Sequence, residues 1–306
     1  MNSVDVSFIT VNYNSSAHTA ALVESIRTHV SDGTTYEIVI VDNASEAEDY
    51  NRLQSTLEGS PSVKLVRNRI NSGFAGGNML GVNVASGRYY FFINNDCFLL
   101  NDAASRLREF MESHPDAGAL TAKITDANGN FSSSYKQFPS VVKQWFGNSA
   151  HRVLFKNRFP SNKARLELPT QVEVISGSCM FFDADVFCAI GGLDTVFFLY
   201  CEEEDICRRV WNSGRAVYFL PSAEVFHEGG GSSGNNPALE KEFYISYNLL
   251  INKHFSFFPR ILIKTALLFK QFRRIFTKKR GLAIFLFSLR GTPVRESLRY
   301  KQSIKV

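Results

Sequence analysis

The chain is expected to fold as an α/β protein whose mainly parallel, twisted sheet is flanked by helices. Three observations carry this. Short β-rich runs at 6–11, 37–41, 63–66 and 89–93 alternate with helix-length segments, as β-α-β units do. Each run ends in a short polar or glycine-rich group, and a sheet of this kind gathers its ligands at the carboxyl ends of its strands. The 306 residues are 44% hydrophobic and 21% charged, enough apolar material for a large core. That composition excludes a disordered chain, a collagen-like repeat and a disulfide-stapled miniature.

Taken in order, the first strand (6–11) is followed by Asn12-Tyr13-Asn14-Ser15, and 18–29 has helical spacing in Ala21, Leu22, Ser25 and Ile26. The second strand (37–41) ends in Asp42-Asn43-Ala44-Ser45. The third (63–66) leads to Asn71-Ser72-Gly73-Phe74-Ala75-Gly76-Gly77-Asn78, with a helix over 77–86. The fourth, the aromatic run 89–93, ends in Asn94-Asn95-Asp96. Four strand ends facing one crevice suggest a nucleotide site. The segment 121–170, rich in Ser, Asn, Phe and basic residues, reads as an acceptor-side insertion. Order returns at 172–182, followed by Gly191-Gly192-Leu193-Asp194, an acidic helix start at 202–205, a strand near 216–220, and Val225-Phe226-His227.

Five cysteines (97, 179, 188, 201 and 207) form no C-x-x-C pair, so neither a disulfide framework nor a zinc site is expected, and a reducing cytosol suits them. The first residues run directly into a strand without the pattern of a signal peptide. The net charge of +5 is unevenly spread. From Lys253 onward there are 14 lysines and arginines against one acid, a net of +13, which leaves −8 on the rest. A mildly acidic body with a basic tail points to chemistry in one part and docking to something anionic in the other.

Several strand-end residues have the chemistry of a site. Asp42 can accept from the N–H of a pyrimidine base or serve as a helix N-cap. The glycine-rich turn beginning at Gly73 can bring backbone N–H groups to an anion or be a tight structural turn. Asp96 follows a buried aromatic strand, where a carboxylate needs a compensating cation; Mg²⁺ and Mn²⁺ share such oxygen ligands with substrate phosphates, and a turn-initiating Asx group is the alternative. His227 can ligate Mn²⁺ or be a satisfied polar residue, and the glycines from Gly229 to Gly231 would let the chain fold over a diphosphate. The acids from Glu202 to Asp205 suit a solvated helix N-terminus. The aromatic residues before them place at least one acid at a pocket wall, where burial and like charges raise its pKa toward that of a useful general base.

The ordered set Val6–Asn14 (Val-Ser-Phe-Ile-Thr-Val-Asn-Tyr-Asn), Val41-Asp42-Asn43-Ala44-Ser45, Asn71–Asn78, Asn94-Asn95-Asp96, Gly191–Asp194 with Phe197–Cys207, and Val225-Phe226-His227 resembles family 2 glycosyltransferases, nearest to the bacterial rhamnosyltransferase-like members. The resemblance spans about 4–231. It implies a GT-A fold, a nucleotide-sugar donor, a divalent cation (Mg²⁺ or Mn²⁺) and inversion at the anomeric carbon. Residue by residue, it implies that Asp42 recognises the base, with Thr10 and Asn12 lining its pocket. Asn71, Gly73, Asn78, Asn94 and Asn95 would lie around the donor, with Asp96 and His227 as metal ligands. Glu203 stands at the base position, with Glu202 beside it. Two departures are visible: amides at Asn94 and Asn95, and a glutamate where the family's base is commonly aspartate.

The boundaries expected are a GT-A domain over 1–237, with a donor half to about 120 and an acceptor half beyond it, and a basic amphipathic helical tail over 238–306. Arg260, Lys264, Lys270, Arg273 and Arg274 interrupt the apolar residues of the tail, so no 20-residue membrane-spanning window exists there. Such helices suit the surface of an anionic membrane or pack as a core pair with solvated lysines. The expected partners are a nucleotide sugar, a glycan or lipid-linked glycan acceptor and an anionic membrane, with no nucleic acid. The expected location is the cytoplasm, peripheral on the inner face of the bacterial cell membrane. A sugar nucleotidyltransferase is a competing reading, but Asn12–Ser16 is not the glycine-rich basic loop it needs after its first strand. A catalytically silent glycan-binding or scaffold protein on the same fold is another.

Overall fold

Hydrophobic residues that alternate in and out of the first strands bury both faces of one sheet. In β1 (Val6–Asn12), Val6 and Phe8 enter one core and Ile9 the other. In the aromatic strand, Tyr89, Phe91 and Ile93 belong to the first core, and Tyr90 and Phe92 to the second. The computed structural model describes residues 4–132, 134–154, 159–161, 164–229 and 236–305.

The elements follow β1 as α1 (Ser16–His29), β2 (Tyr36–Asn43), α2 (Ala47–Leu57), β3 (Val63–Asn68), α3 (Gly73–Val82), β4 (Tyr89–Ile93), β5 (Cys97–Leu99), α4 (Ala103–Ser113) and β6 (Ala117–Thr125). Next come β7 (Tyr135–Lys136), α5 (Val141–Leu154), β8 (Thr170–Gln171), β9 (Val174–Ile175), β10 (Cys179–Asp183), α6 (Ala184–Ala189), α7 (Glu202–Asn212) and β11 (Ala216–His227). Three helices close the chain: α8 (Pro237–His254), α9 (Phe257–Ile275) and α10 (Gly281–Leu289).

The main sheet has the order β3-β2-β1-β4-β10-β6-β11-β5, with β8 also paired to β11. The α/β class expected from the sequence is what the chain adopts. The four N-terminal strands are parallel, β10 runs antiparallel between β4 and β6, and β6 pairs parallel with β11. Register matters here because it aligns the strand ends: Asn12 lies opposite Asp42, Asn43 opposite Asn68, and His227 opposite Cys97.

The helix expected over 77–86 begins four residues earlier, at Gly73. Its glycines are packing devices. A Cβ on Gly81 would lie 2.6 Å from Ile9 Cγ2, and one on Gly77 would lie 3.0 Å from Val11, so α3 can lie close on β1 and β2. The run expected over 172–182 divides into β9 and β10, whose turn carries Ser176, Gly177 and Ser178.

The C-terminal helices pack back onto the body. Tyr247, Leu250, Ile251 and Ile263 form a third core with Phe197 and Cys201. Buried Asp205 of α7 accepts from Arg209 within its own helix and from Lys253 and His254 of α8, each at about 2.7 Å. Among the described residues, no helix is long and apolar enough to cross a membrane.

Candidate active site

The strand-end residues can be followed around a closed circuit of contacts. It starts at Asn12, whose side-chain amide donates to Asp42 Oδ1 at 2.9 Å and to Asp49 Oδ2 at 3.0 Å. Asn12 Oδ1 accepts from Thr19, whose hydroxyl also accepts from Asn95 Nδ2 at 3.0 Å. Asp49, which carried no signal in the sequence, caps α1 from α2 by accepting from the N–H groups of Ser15 and Ser16. Burial pushes the Asp49 carboxyl up, but hydrogen bonds from Asn12, Ser16 and Ser15 outweigh it and hold it below the ordinary range.

Asp42 is fully buried, and its second oxygen accepts from the Ser45 N–H at 3.2 Å. It is not a helix N-cap; Glu46 occupies that position of α2. Thr10 is buried one strand away, and its hydroxyl has no partner among the described residues. The neighbouring Asn43 donates to Asn71 Oδ1 and to the Gly73 carbonyl, both at 3.0 Å, and accepts from Asn68 and Ser72. Asn71 Oδ1 also accepts from the Gly73 N–H at 2.8 Å, and Asn78 donates to the Phe74 carbonyl. Gly73 has φ +76°, and the Phe74 N–H donates to the Phe198 carbonyl at 2.7 Å. A Cβ at Gly73 would lie 2.0 Å from that carbonyl, so this glycine lets the loop before α7 touch the start of α3. The first two N–H groups of α3, those of Gly73 and Phe74, are thereby used inside the protein.

That loop turns sharply into α7. Tyr200 and Cys201 both adopt left-handed backbone angles, φ 73° and 70°, immediately before the four acids. Glu202 is buried, and its Oε1 has no partner among the described residues. Lys136 of β7, another residue without a sequence signal, lies 2.7 Å from Glu203 Oε1 and 2.6 Å from Glu204 Oε1. Burial pushes Glu203 up, but the Lys136 ammonium outweighs it and holds this carboxyl below its ordinary range. Burial and the charge of Glu203 drive Glu202 well above that range, and burial followed by the same charge moves Glu204 to about 7.

Across the turn before β10, a Cβ on Gly177 would stand 3.7 Å from Glu203 Cδ. The next residue, Ser178, accepts at its carbonyl from the Asn94 N–H at 3.0 Å and from the Cys97 thiol. The turn Asn94–Cys97, closed by the Cys97 N–H donating to the Asn94 carbonyl, carries Asp96. Asp96 Oδ1 lies 3.3 Å from His227 Nε2. The Glu228 N–H donates to the Asp96 carbonyl, and Glu228 Oε2 meets His18 Nε2 at 2.9 Å. His18 Nδ1 returns to Ser15, which closes the circuit at the Asn12 network. Gly229 is described, whereas Gly230 and Gly231 of the expected glycine-rich exit lie outside the described residues.

The donor set at this corner suits a divalent cation. Asp96, Cys97 and His227 offer ligand atoms within 4.8 Å of one another. Burial pushes the Cys97 thiol well up, and it donates to a carbonyl, which leaves a carboxylate and an imidazole facing outward. Each is about one-fifth exposed, and neighbouring ligands of an octahedral ion at about 2.1 Å stand roughly 3 Å apart, close to the observed spacing. Burial raises the Asp96 carboxyl, but the hydrogen bond and charge of His227 lower it further, so it is an anion at neutral pH. When bound, such an ion would supply positive charge against a departing diphosphate.

The sheet and its flanking helices form a GT-A-type fold. The chain belongs to glycosyl transferase family 2, whose model matches residues 7–191. Over 165 residues it is 35% identical to an N-acetylglucosaminyl-diphospho-decaprenol L-rhamnosyltransferase of Mycobacterium tuberculosis, covering 51% of this chain and 50% of that protein. It is 26% identical over 140 residues to rhamnosyltransferase WbbL of Escherichia coli K12, covering 45% and 52%. The crystal structure of GalNAc-T7 with UDP, GalNAc and Mn²⁺ superposes with a TM-score of 0.56 at 16% identity, covering 80% of this chain and 48% of that one. The chain spans about half the length of the curated relatives it matches.

Proposed function

We propose that the protein is an inverting, metal-dependent glycosyltransferase. It would move a sugar from a pyrimidine nucleoside diphosphate donor, such as dTDP-L-rhamnose, to a hydroxyl of a lipid-linked glycan or surface polysaccharide precursor. The observation that carries this reading is the position of Glu203, one turn (Ser176–Ser178) away from the corner formed by Asp96 and His227.

In this reading Glu203, kept ionised by Lys136, accepts the proton of the acceptor hydroxyl as its oxygen bonds to the anomeric carbon. The bond from that carbon to the diphosphate breaks on the opposite face, which inverts the configuration without a covalent enzyme intermediate. Asp96 and His227 would hold Mg²⁺ or Mn²⁺ against the diphosphate. Asp42, Asn12 and Thr10 would receive the base. Asn71, Gly73, Asn78, Asn94 and Asn95 would frame the donor. The rhamnose and the lipid-linked acceptor are supported by the name of the M. tuberculosis relative.

The basic tail would seat the enzyme on an anionic membrane. Phe258, Leu262, Phe269 and Phe272 along α9, and Phe276 just past its end, recur at helical spacing, and all are exposed. The opposite side of α9 buries Ile263, Ala266 and Gln271 against the body. The helix therefore packs as a core element on one side and presents an apolar stripe on the other. Exposed Lys270, Arg273, Lys278 and Lys279 accompany that stripe, as expected of a helix lying in a membrane surface.

A panel of nucleotide sugars incubated with Mn²⁺ or Mg²⁺ tests the reading and names the donor. Metal-dependent hydrolysis of one pyrimidine nucleotide sugar, accelerated by a polyprenyl-diphosphate-linked acceptor, is the expected result. Inertness toward every donor with either metal would overturn it.

A further inference from the structure

The acceptor-side element α5, which is kinked at Gly147 (φ +81°) between Phe146 and Leu154, leaves apolar residues uncovered on both sides of the kink. Phe146 is 71% exposed, Leu154 64% and Trp145 43%. These residues are not isolated from the tail. Trp145 stacks on Phe269, with ring centroids 6.3 Å apart, and its indole N–H donates to the Leu262 carbonyl at 2.9 Å. Beside it, Lys270 donates to Gln144 Oε1 at 2.7 Å, and Gln144 donates to the Tyr247 hydroxyl at 2.6 Å. Leu262 and Phe269 belong to the exposed stripe of α9, so the apolar surface continues from one helix to the other.

We infer that α5 and α9 together form one membrane-docking platform, with Trp145 at their seam, and that its occupant is an anionic bilayer. The inference rests on the reading of the tail as membrane-bound and extends it to the acceptor half of the catalytic domain. Charge selects the occupant: exposed cations Lys270, Arg273, Lys278 and Lys279 accompany the apolar residues. An indole with an apolar body and a satisfied N–H is the side chain favoured at the boundary between acyl chains and headgroups.

Placement gives the platform a consequence for the reaction. The strand just ahead of α5 carries Lys136, which is ion-paired to Glu203 and Glu204. Seating α5 on lipid holds this part of the acceptor side at the membrane surface, where the hydroxyl of a lipid-linked acceptor arrives.

The test uses the full chain. Trp145 and Trp211 are its two tryptophans, and Trp211 is partly buried on α7 with its indole bonded to the Glu173 carbonyl. Trp211→Phe therefore leaves Trp145 as sole reporter. With equimolar phosphatidylglycerol and phosphatidylethanolamine vesicles, its emission should shift to the blue and be quenched by lipids brominated on the acyl chains. In the otherwise native chain, Trp145→Phe should abolish the lipid-dependent quenching, which keeps the test alive should Trp211→Phe fold poorly. Phe146→Ser should weaken vesicle binding about tenfold. Pelleting with vesicles while Trp145 stays unquenched would overturn the role of α5 and leave the tail reading standing. Failure to pellet at low salt would overturn both. A blue shift that grows with protein concentration without lipid would assign the platform to a second copy of the chain and overturn the inference.

Discussion

Lys136 and Glu203 meet at 2.7 Å, and the same ammonium lies 2.6 Å from Glu204. One cation from the acceptor-side strand thus serves two acids on the first turn of α7. Its effect on the two is unequal: Glu203 lies below the ordinary glutamate range, whereas Glu204 reaches about 7. Lys136→Met removes the charge that opposes the burial of Glu203, so the Glu203 pKa should rise. The acid limb of turnover should therefore move to higher pH: for a shift of one to two pKa units, turnover on the acid side of that limb should fall about 10- to 100-fold and recover as pH rises. The pH dependence of kcat is the measurement, and an acid limb unmoved from that of the parent would remove Lys136 from the mechanism.

The three consecutive glutamates can be separated by their amides. Glu203→Gln should keep donor affinity and lose at least about a hundredfold in turnover, the scale of lost general-base help. Glu202→Gln should do less, because burial and the charge of Glu203 already disfavour the ionised form of that carboxyl. Donor binding by calorimetry and turnover on one substrate pair decide between them. A Glu202→Gln enzyme more damaged than Glu203→Gln would transfer the role of base to Glu202.

Asp96 and His227 should act as a unit toward a divalent cation. Chelation by EDTA should abolish turnover, and Mn²⁺ should restore it. His227→Ala should raise the Mn²⁺ concentration needed for half-maximal activity by about 10- to 100-fold, and the paramagnetic signal of bound Mn²⁺ should weaken in parallel. Full activity in EDTA would disconnect this corner from metal binding.

Much of this corner was legible in the sequence because strand ends announce themselves. An apolar run followed by Asn-Asn-Asp or Val-Phe-His marks a carboxyl-terminal edge, and β-α-β order brings such edges to one side. Lys136, Asp49 and His18 were not legible. Each acts on residues more than 30 positions away or from another element, as Asp49 does on Ser15 and His18 on Glu228. Their own neighbourhoods look like ordinary solvated sequence. The glycines of α3 were read for anion binding, and their packing role became visible only once Ile9 and Phe198 were known to face them. Composition could suggest the basic tail but not its pairing with α5, because Trp145 meets Phe269 across 124 positions.

Gly73 tests whether the contact between α3 and the loop before α7 matters for the base. Gly73→Ala combines a left-handed backbone with a Cβ that would lie 2.0 Å from the Phe198 carbonyl. It should destabilise the protein by more than about 2 kcal/mol and reduce turnover as well. Gly59→Ala has a similar φ, +76°, but nothing within 4 Å, so it should cost only about 1 kcal/mol and leave turnover alone. Urea unfolding of both variants checks the comparison, and equal destabilisation would show that backbone angle alone, not the Phe198 contact, sets the cost.

Asp205 should make stability depend on acid. Burial raises its carboxyl, but His254, Lys253 and Arg209 outweigh burial and bring it to about 2. An unfolded chain would titrate this group near 3.9. The folded state therefore gains stability that is complete above about pH 5 and lost as pH falls toward 2, on the order of 2–3 kcal/mol in all. Asp205→Asn keeps the shape but not the charge, and it leaves Arg209 and Lys253 without their shared anion and His254 without a carboxylate partner. The variant should be less stable than the parent by at least that amount at pH 7, and the part of the gap due to titration should shrink to about half at pH 3. Urea midpoints at the two pH values give the comparison. A gap that does not change with pH would mean that Asp205 contributes by packing and hydrogen bonding alone, and that α8 is not held to α7 by charge.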